Sequence, residues 1–149
     1  MFRCLSTCFY FGELPLMPGT FGTLPAVALY LIVVNLNHGP LLLLVMLLAL
    51  LPGGVALADW AGSLSKNEDP SFFVFDEFLG FLVAVQFVNL GSPYLTASCA
   101  FLAFRFFDVV KPPPIRKLEG LRRGWGIVLD DVLAGVYANV VLQALAFFV

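Results

Sequence analysis

Charged side chains are missing from two long stretches of this sequence, residues 14–58 and 78–104, and from everything after Asp131. Only 12% of the chain is charged, against about 25% in a soluble domain, while 60% is apolar. A soluble fold of this composition would lack the polar surface to cover itself, whereas lipid covers apolar side chains directly. The chain therefore reads as one integral membrane domain, residues 1–149, with no nucleic-acid partner. Cysteine is scarce too: Cys4, Cys8 and Cys99 form no CxxC pair, so they offer neither a zinc spacing nor a disulfide framework. Cys99 and Arg105 do fit the C-x5-R spacing of some phosphatases, but Ala-Phe-Leu-Ala-Phe between them belongs in a helix wall and not in a loop of converging amides. The first twenty residues lack the unbroken apolar stretch of a signal peptide, holding Glu13, Pro15, Pro18 and Gly19 instead, so the mature chain is expected to begin at Met1.

What is present is apolar runs of spanning length. A helix needs about 20 residues to cross the hydrocarbon core, with roughly 17 as the lower end. Five segments are expected to cross: 21–34, 41–59, 71–88, 94–110 and 127–149. The first and fourth are short or carry charge at one end. Polar breaks at Asn35-Leu36-Asn37-His38-Gly39-Pro40 and Asn89-Leu90-Gly91-Ser92-Pro93 supply two turns without formal charge. Six of the eight basic residues cluster in one region: Arg105 near the end of the fourth span, and Lys111, Arg116, Lys117, Arg122 and Arg123 between the fourth and fifth. Lys and Arg in short loops mark the cytoplasmic side. This places the N-terminus, the Lys66 loop and every Asp, Glu, Lys and Arg at one cytoplasmic interface, with both uncharged turns and Val149 outside. The expected fold is an all-α polytopic membrane bundle of about five spans.

Two acidic pairs stand out, Asp76-Glu77 and Asp130-Asp131, each near the start of an apolar segment. An ionisable group inside the bilayer costs about 2.5 to 3.5 kcal/mol at mid-membrane and less near the ends. One acid in the first turn of a helix is eased by the macrodipole. Two consecutive pairs ask for more, and a divalent cation resolves the repulsion. Mg2+ prefers hard oxygen ligands, commonly one or two carboxylates with water and substrate phosphate. Without a His-x-x-His or cysteine pairing, zinc is not expected. Gly80 and Gly135 each follow an acid by four residues, Asp76 and Asp131, and so share its helix face. Missing side chains there would let two helices approach and bring the acids together.

Arg105 and Asp108, three apart, can pair across one helix turn. Arg105, Lys111 and Arg116 can alternatively hold a phosphate, the arginines through two parallel donors. Lys117, Arg122 and Arg123 are read as loop charges serving orientation and anionic lipid. Pro112-Pro113-Pro114 bars a helix and sends the loop along the surface. Pro18-Gly19-Thr20-Phe21-Gly22-Thr23 leads into the first span, with Thr20 or Thr23 as the expected cap and both as expected phosphate contacts. Glycines there let amides crowd toward an anion, although the spacing is not that of a nucleotide P-loop. Gly124-Trp125-Gly126 offers a second such cradle before the fifth span.

Taken in order, Pro18-Gly19-Thr20-Phe21-Gly22-Thr23, Asp69-Pro70 with Val74-Phe75-Asp76-Glu77-Phe78-Leu79-Gly80, the run F-R-x-F-D-x-x-K-P-x-P-I from Phe104 to Ile115, and G-I-x-L-D-D-x-x-A-G from Gly126 to Gly135 resemble the phosphatidylglycerophosphatase A family. The resemblance implies an all-helical bacterial inner-membrane enzyme. Its Mg2+-dependent reaction removes the terminal phosphate of phosphatidylglycerophosphate, leaving phosphatidylglycerol. In that reading Asp76, Glu77, Asp130 and Asp131 hold the metal and do the catalysis, and the substrate is a phospholipid within the bilayer. The chain departs from the family at Arg123-Gly124-Trp125-Gly126, where a double glycine is usual, and at Leu14-Pro15, where the usual pair is Ser-Pro. The first leaves room for a phosphate contact through Arg123, which is otherwise read as a loop charge, and the second removes a hydroxyl. Two other classes remain open: a lipid phosphotransferase, whose D-G-x-x-A-R run is missing, and a non-enzymatic transport subunit with an intramembrane acidic site.

Overall fold

The computed structural model of the chain describes residues 6–8, 18–64, 72–118, 120–121 and 124–148, which are helix and turn with no strand among them. Among the described residues these helices follow one another: α1 Pro18–Val33, α2 Gly39–Leu64, α3 Phe75–Ala84, α4 Pro93–Val110, the short α5 Ile115–Leu118, and α6 Gly124–Ala146. Both uncharged breaks are turns, residues 34–38 between α1 and α2 and residues 85–92 between α3 and α4. Local chemistry starts α4: Pro93 occupies the first turn, and the Ser92 hydroxyl accepts the Leu95 N–H at 3.1 Å.

Among the described residues three helices, α2, α4 and α6, are long and apolar enough to cross a membrane, and α1 is a shorter apolar helix. The expectation of a third span over 71–88 is corrected here. α3 has ten residues, a rise of about 15 Å, half of a hydrocarbon core of about 30 Å. It ends inside the bundle. Side-chain amides of α6 close that end: Asn139 Nδ2 donates to the carbonyls of Val83, Ala84 and Gln86 at 3.2, 3.1 and 2.8 Å. Gln143 Nε2 donates to those of Gln86 and Phe87 at 3.2 and 3.1 Å. Carbonyls at a helix end have no partner within the helix, and in apolar surroundings protein must supply one.

α3 is the centre of the molecule. Leu79, Phe81, Leu82 and Ala84 are fully enclosed, and the helix packs on α1, α2 and α4 and most extensively on α6. The outer faces of the long helices are apolar and exposed, as at Val45 and Leu48 of α2, Leu102 and Val109 of α4, and Val140 and Val141 of α6. This inside-to-outside arrangement suits a lipid solvent, where apolar atoms need no further cover. Charge gathers at one end, where α1, α3 and α6 begin and α2 and α4 finish. There Gly19 of α1 lies against Glu77 and Arg105, Asp59 of α2 meets Gly124 of α6, and Lys111 after α4 meets Asp130.

Candidate active site

Two glycines set the crossing of α3 and α6. A Cβ on Gly80 would lie 2.7 Å from the Asp131 carbonyl oxygen and would strike the Phe104 ring. One on Gly135 would collide with the Gly80 carbonyl and sit 3.0 Å from Val83 Cβ. Only missing side chains permit this approach. It brings the first turn of α3 against α6, so that Asp76, Glu77 and Asp131 each offer a carboxylate oxygen within 4.8 Å of the others.

Burial makes that arrangement costly. Asp76 and Asp131 are buried, and Glu77 is half-buried. Two like charges at this separation repel by on the order of 3 to 4 kcal/mol at an effective dielectric constant of 20. Part of the compensation is local: Asp76 Oδ1 accepts the Glu77 N–H at 3.0 Å, in the first turn of α3. The second pair lies deeper along its helix than the first, because α6 begins at Gly124 and leaves no acid in its first turn. Glu77 Oε2 is buried without a hydrogen-bond partner among the described residues. A buried carboxylate oxygen without a partner, in a set of three converging hard-oxygen donors, fits a cation such as Mg2+.

Asp130 goes elsewhere. Its Oδ1 accepts the Asp131 N–H at 3.0 Å, and its Oδ2 meets Lys111 Nζ at 2.6 Å. Lys111 reaches it from an unusual backbone position, the left-handed C-cap of α4 with φ 45° and ψ 62°. That region costs a non-glycine residue roughly 1 to 2 kcal/mol, and here it turns the chain and its lysine back toward α6.

Arg105, the guanidinium beside the cluster, has its Nη1 2.6 Å from Asp108 Oδ2 and 3.9 Å from Glu77 Oε1. The intrahelical pair and the contact toward the acids thus coexist. Gly19 gives this group room, since a Cβ there would collide with Glu77 Oε1 and lie 3.0 Å from Arg105 Nη1. Thr23 is buried and donates to the Gly19 carbonyl at 2.8 Å, holding the first turn of α1. Thr20 is half-buried on the same helix. Arg116 is exposed on α5 and donates to the Val110 carbonyl at 3.4 Å, closing the end of α4 and not joining the acids. Arg122 and Arg123, with Glu13 and Lys66, lie outside the described residues.

Other expectations meet specific partners. The amide of Gly124, expected to cradle an anion, donates to the Asp59 carboxylate. Sequence reasoning passed over Asp59, because its partner lies 65 residues away and no local capping motif joins them. Asn139 and Gln143 were missed as well, although two amides one turn apart in an apolar helix are a readable sign of a polar contact within the membrane. Cys99 and Arg105 share the unbroken helix α4, so their spacing builds no loop. Cys8 is buried against the Val74 carbonyl, and burial with the neighbouring Glu77 charge pushes its thiol up to about 12, away from the range of reactive thiolates.

The chain matches the family described as Phosphatidylglycerophosphatase A over residues 4–146. This chain belongs to the phosphatidylglycerophosphatase A family. The phosphatidylglycerophosphatase A of Haemophilus influenzae is 36% identical over 133 residues, covering 88% of this chain and 80% of its own length. That of Escherichia coli is 30% identical over 139 residues, covering 93% of this chain and 79% of its own. A candidate phosphatidylinositol-3-phosphatase of Bacteroides thetaiotaomicron is 36% identical over 150 residues, covering 93% and 89%. No solved structure matches. Membership in this family makes the chain a phosphatase.

Proposed function

We propose that this phosphatase hydrolyses the terminal phosphate monoester of phosphatidylglycerophosphate, releasing phosphatidylglycerol and inorganic phosphate, in a Mg2+-dependent reaction at the cytoplasmic face of a bacterial inner membrane. The observation that carries the reading is the convergence of Asp76, Glu77 and Asp131 beside Arg105, with Glu77 Oε2 buried and lacking a partner among the described residues. The names of the two phosphatidylglycerophosphatase relatives support the head group. The concentration of basic residues between α4 and α6 supports the orientation.

Asp76, Glu77 and Asp131 would hold Mg2+, with Asp130 at their edge. Bound there, the ion supplies Lewis-acid polarisation of phosphoryl oxygens and a counter-charge for the acids. The phosphate monoester brings about −1.5 to −2 charge of its own, so it needs cationic partners from the protein as well. Arg105 presents a planar fork at the mouth of the cluster, suited to two phosphoryl oxygens at once. Lys111 holds Asp130 in place and adds positive charge on the α6 side. Hydrolysis forms one P–O bond from water and breaks the ester P–O bond to glycerol. A carboxylate of this group takes the proton from the water, and the leaving oxygen is protonated in turn. Positioning and charge neutralisation are most of what phosphoryl transfer requires.

A second head group comes from the Bacteroides relative, whose name concerns a 3-phosphorylated phosphatidylinositol. The deciding experiment incubates purified protein in detergent with phosphatidylglycerophosphate and, separately, with phosphatidylinositol 3-phosphate, each with Mg2+ or with chelator. Phosphate release from the first substrate alone, abolished by chelator, is the expected result. Preference for the inositol lipid would replace the head group. Undiminished release in chelator would remove the metal from the proposal.

A further inference from the structure

Between α1 and α4, running from the middle of the bundle toward the uncharged turns, lies a groove of about 350 Å³ lined by Leu24, Val27 and Leu31 of α1 and by Tyr94, Ser98 and Phe101 of α4, among others. These residues recur every three or four positions, so each set forms one stripe along its helix. The stripes continue into the site. On α4 the residue one turn beyond Phe101 is Arg105, and on α1 the residue one turn before Leu24 is Thr20. The gap between the helices closes where Gly19 meets Arg105 and Glu77. The groove therefore lies in line with the anionic cluster, and the corridor along α4 from Tyr94 to Arg105 is about 16 Å long at 1.5 Å per residue.

We propose that this groove receives one acyl chain of the phospholipid whose phosphate is presented to Arg105 and the carboxylates, a subsite that rests on the hydrolase reading above. The lining is aliphatic and aromatic apart from the Ser98 and Tyr94 hydroxyls, so it suits methylene groups and rejects a head group. Its side is open, because Leu24, Tyr94, Ser98 and Leu102 are exposed, and a chain can enter laterally from the bilayer. Its volume falls at the small end of the roughly 300 to 1,000 Å³ of ligand sites. Seating one chain fixes the lipid along the corridor and brings its phosphate to the same depth at each encounter.

Ser98→Trp and Leu24→Trp fill the groove from opposite walls at exposed positions. Each is compared with wild type on long-chain phosphatidylglycerophosphate in detergent and on the same head group without its acyl chains. Both variants are expected to lower kcat/KM for the long-chain lipid at least tenfold and to leave the deacylated substrate within about twofold. Equal losses on both substrates, or no loss on either, would overturn the proposal. A second arm incubates wild type with a long-chain phospholipid phosphate monoester bearing a photoreactive diazirine within one acyl chain. Adducts on α1 and α4 around Val27 and Phe101, lost in Ser98→Trp, are expected even if wild type releases no phosphate; that outcome would keep the groove and overturn only the hydrolase reading. Adducts confined to other helices would sink the proposal. So would efficient disulfide formation between two copies carrying Val27→Cys, because it would show a second protein in the groove.

Discussion

Asp130 and Asp131 leave α6 about 100° apart, and that angle gives two neighbouring acids different partners. Asp131 turns toward Asp76 and Glu77, while Asp130 turns toward Lys111. Replacing Asp76 or Asp131 by Asn preserves shape and removes charge, so turnover is expected to fall below about a tenth of wild type, a barrier increase above roughly 1.4 kcal/mol. Heating the detergent-solubilised variants separates a ligand role from a merely acidic one. A metal that binds only the folded state raises its melting temperature. Mg2+ should therefore stabilise wild type and Asp130→Asn but not Asp131→Asn. Arg105 and Arg116 differ in the same spirit, one beside the acids and the other on a surface carbonyl. Arg105→Lys keeps the charge and loses the fork, so steady-state kinetics should show at least a tenfold fall in kcat/KM. Arg116→Lys should change it by less than about twofold, and the reverse ranking would move the phosphate site toward α5.

α3 and α6 meet through backbone, and the meeting point decides whether the acids converge. Gly135→Ala puts a methyl group into the Gly80 carbonyl, and neither partner is a flexible side-chain end that can swing away. Overpacking of this kind typically costs about 1 to 3 kcal/mol. Thermal unfolding in detergent should show the loss, together with a fall in turnover as α6 is pushed off α3. Gly53→Ala is the matched control: a Cβ at that position meets nothing within 4 Å. A helical Gly-to-Ala change should stabilise there by up to about 1 kcal/mol, with activity retained. If Gly135→Ala were as well tolerated as Gly53→Ala, the close crossing would not be what assembles the site. The blunt end of α3 belongs to the same scale. A half-length helix persists within an apolar bundle because Asn139 and Gln143 receive its last carbonyls.

At the scale of the molecule, the charges among the described residues collect at one end and the uncharged turns at the other, which makes sidedness testable. A cysteine introduced at the exposed turn residue Asn37 should react with an impermeant thiol reagent added outside intact cells, and one at Lys117 should not. Labelling at Lys117 alone would invert the orientation. Much of this layout was legible in the sequence. The gaps in charge mark the apolar helices, the breaks at Asn35 and Asn89 mark the turns, and the four-residue spacings Asp76 to Gly80 and Asp131 to Gly135 mark a close crossing, because composition and helical period are local properties. The length of α3 was not legible. Val85 to Val88 is as apolar as the helix before it, and what closes the helix is a pair of amides, one of them 56 residues away from the carbonyl it meets. Nor could adjacency separate Asp130 from the other acids, since that depends on the left-handed turn at Lys111, or assign Asp59 to the amide of Gly124. The sequence by itself determined that the chain is helical, suited to lipid and acidic at a basic interface. Only the tertiary structure decided which carboxylates share a site, because like charges are brought within 4.8 Å by packing between helices, and packing is fixed by partners distant in the chain.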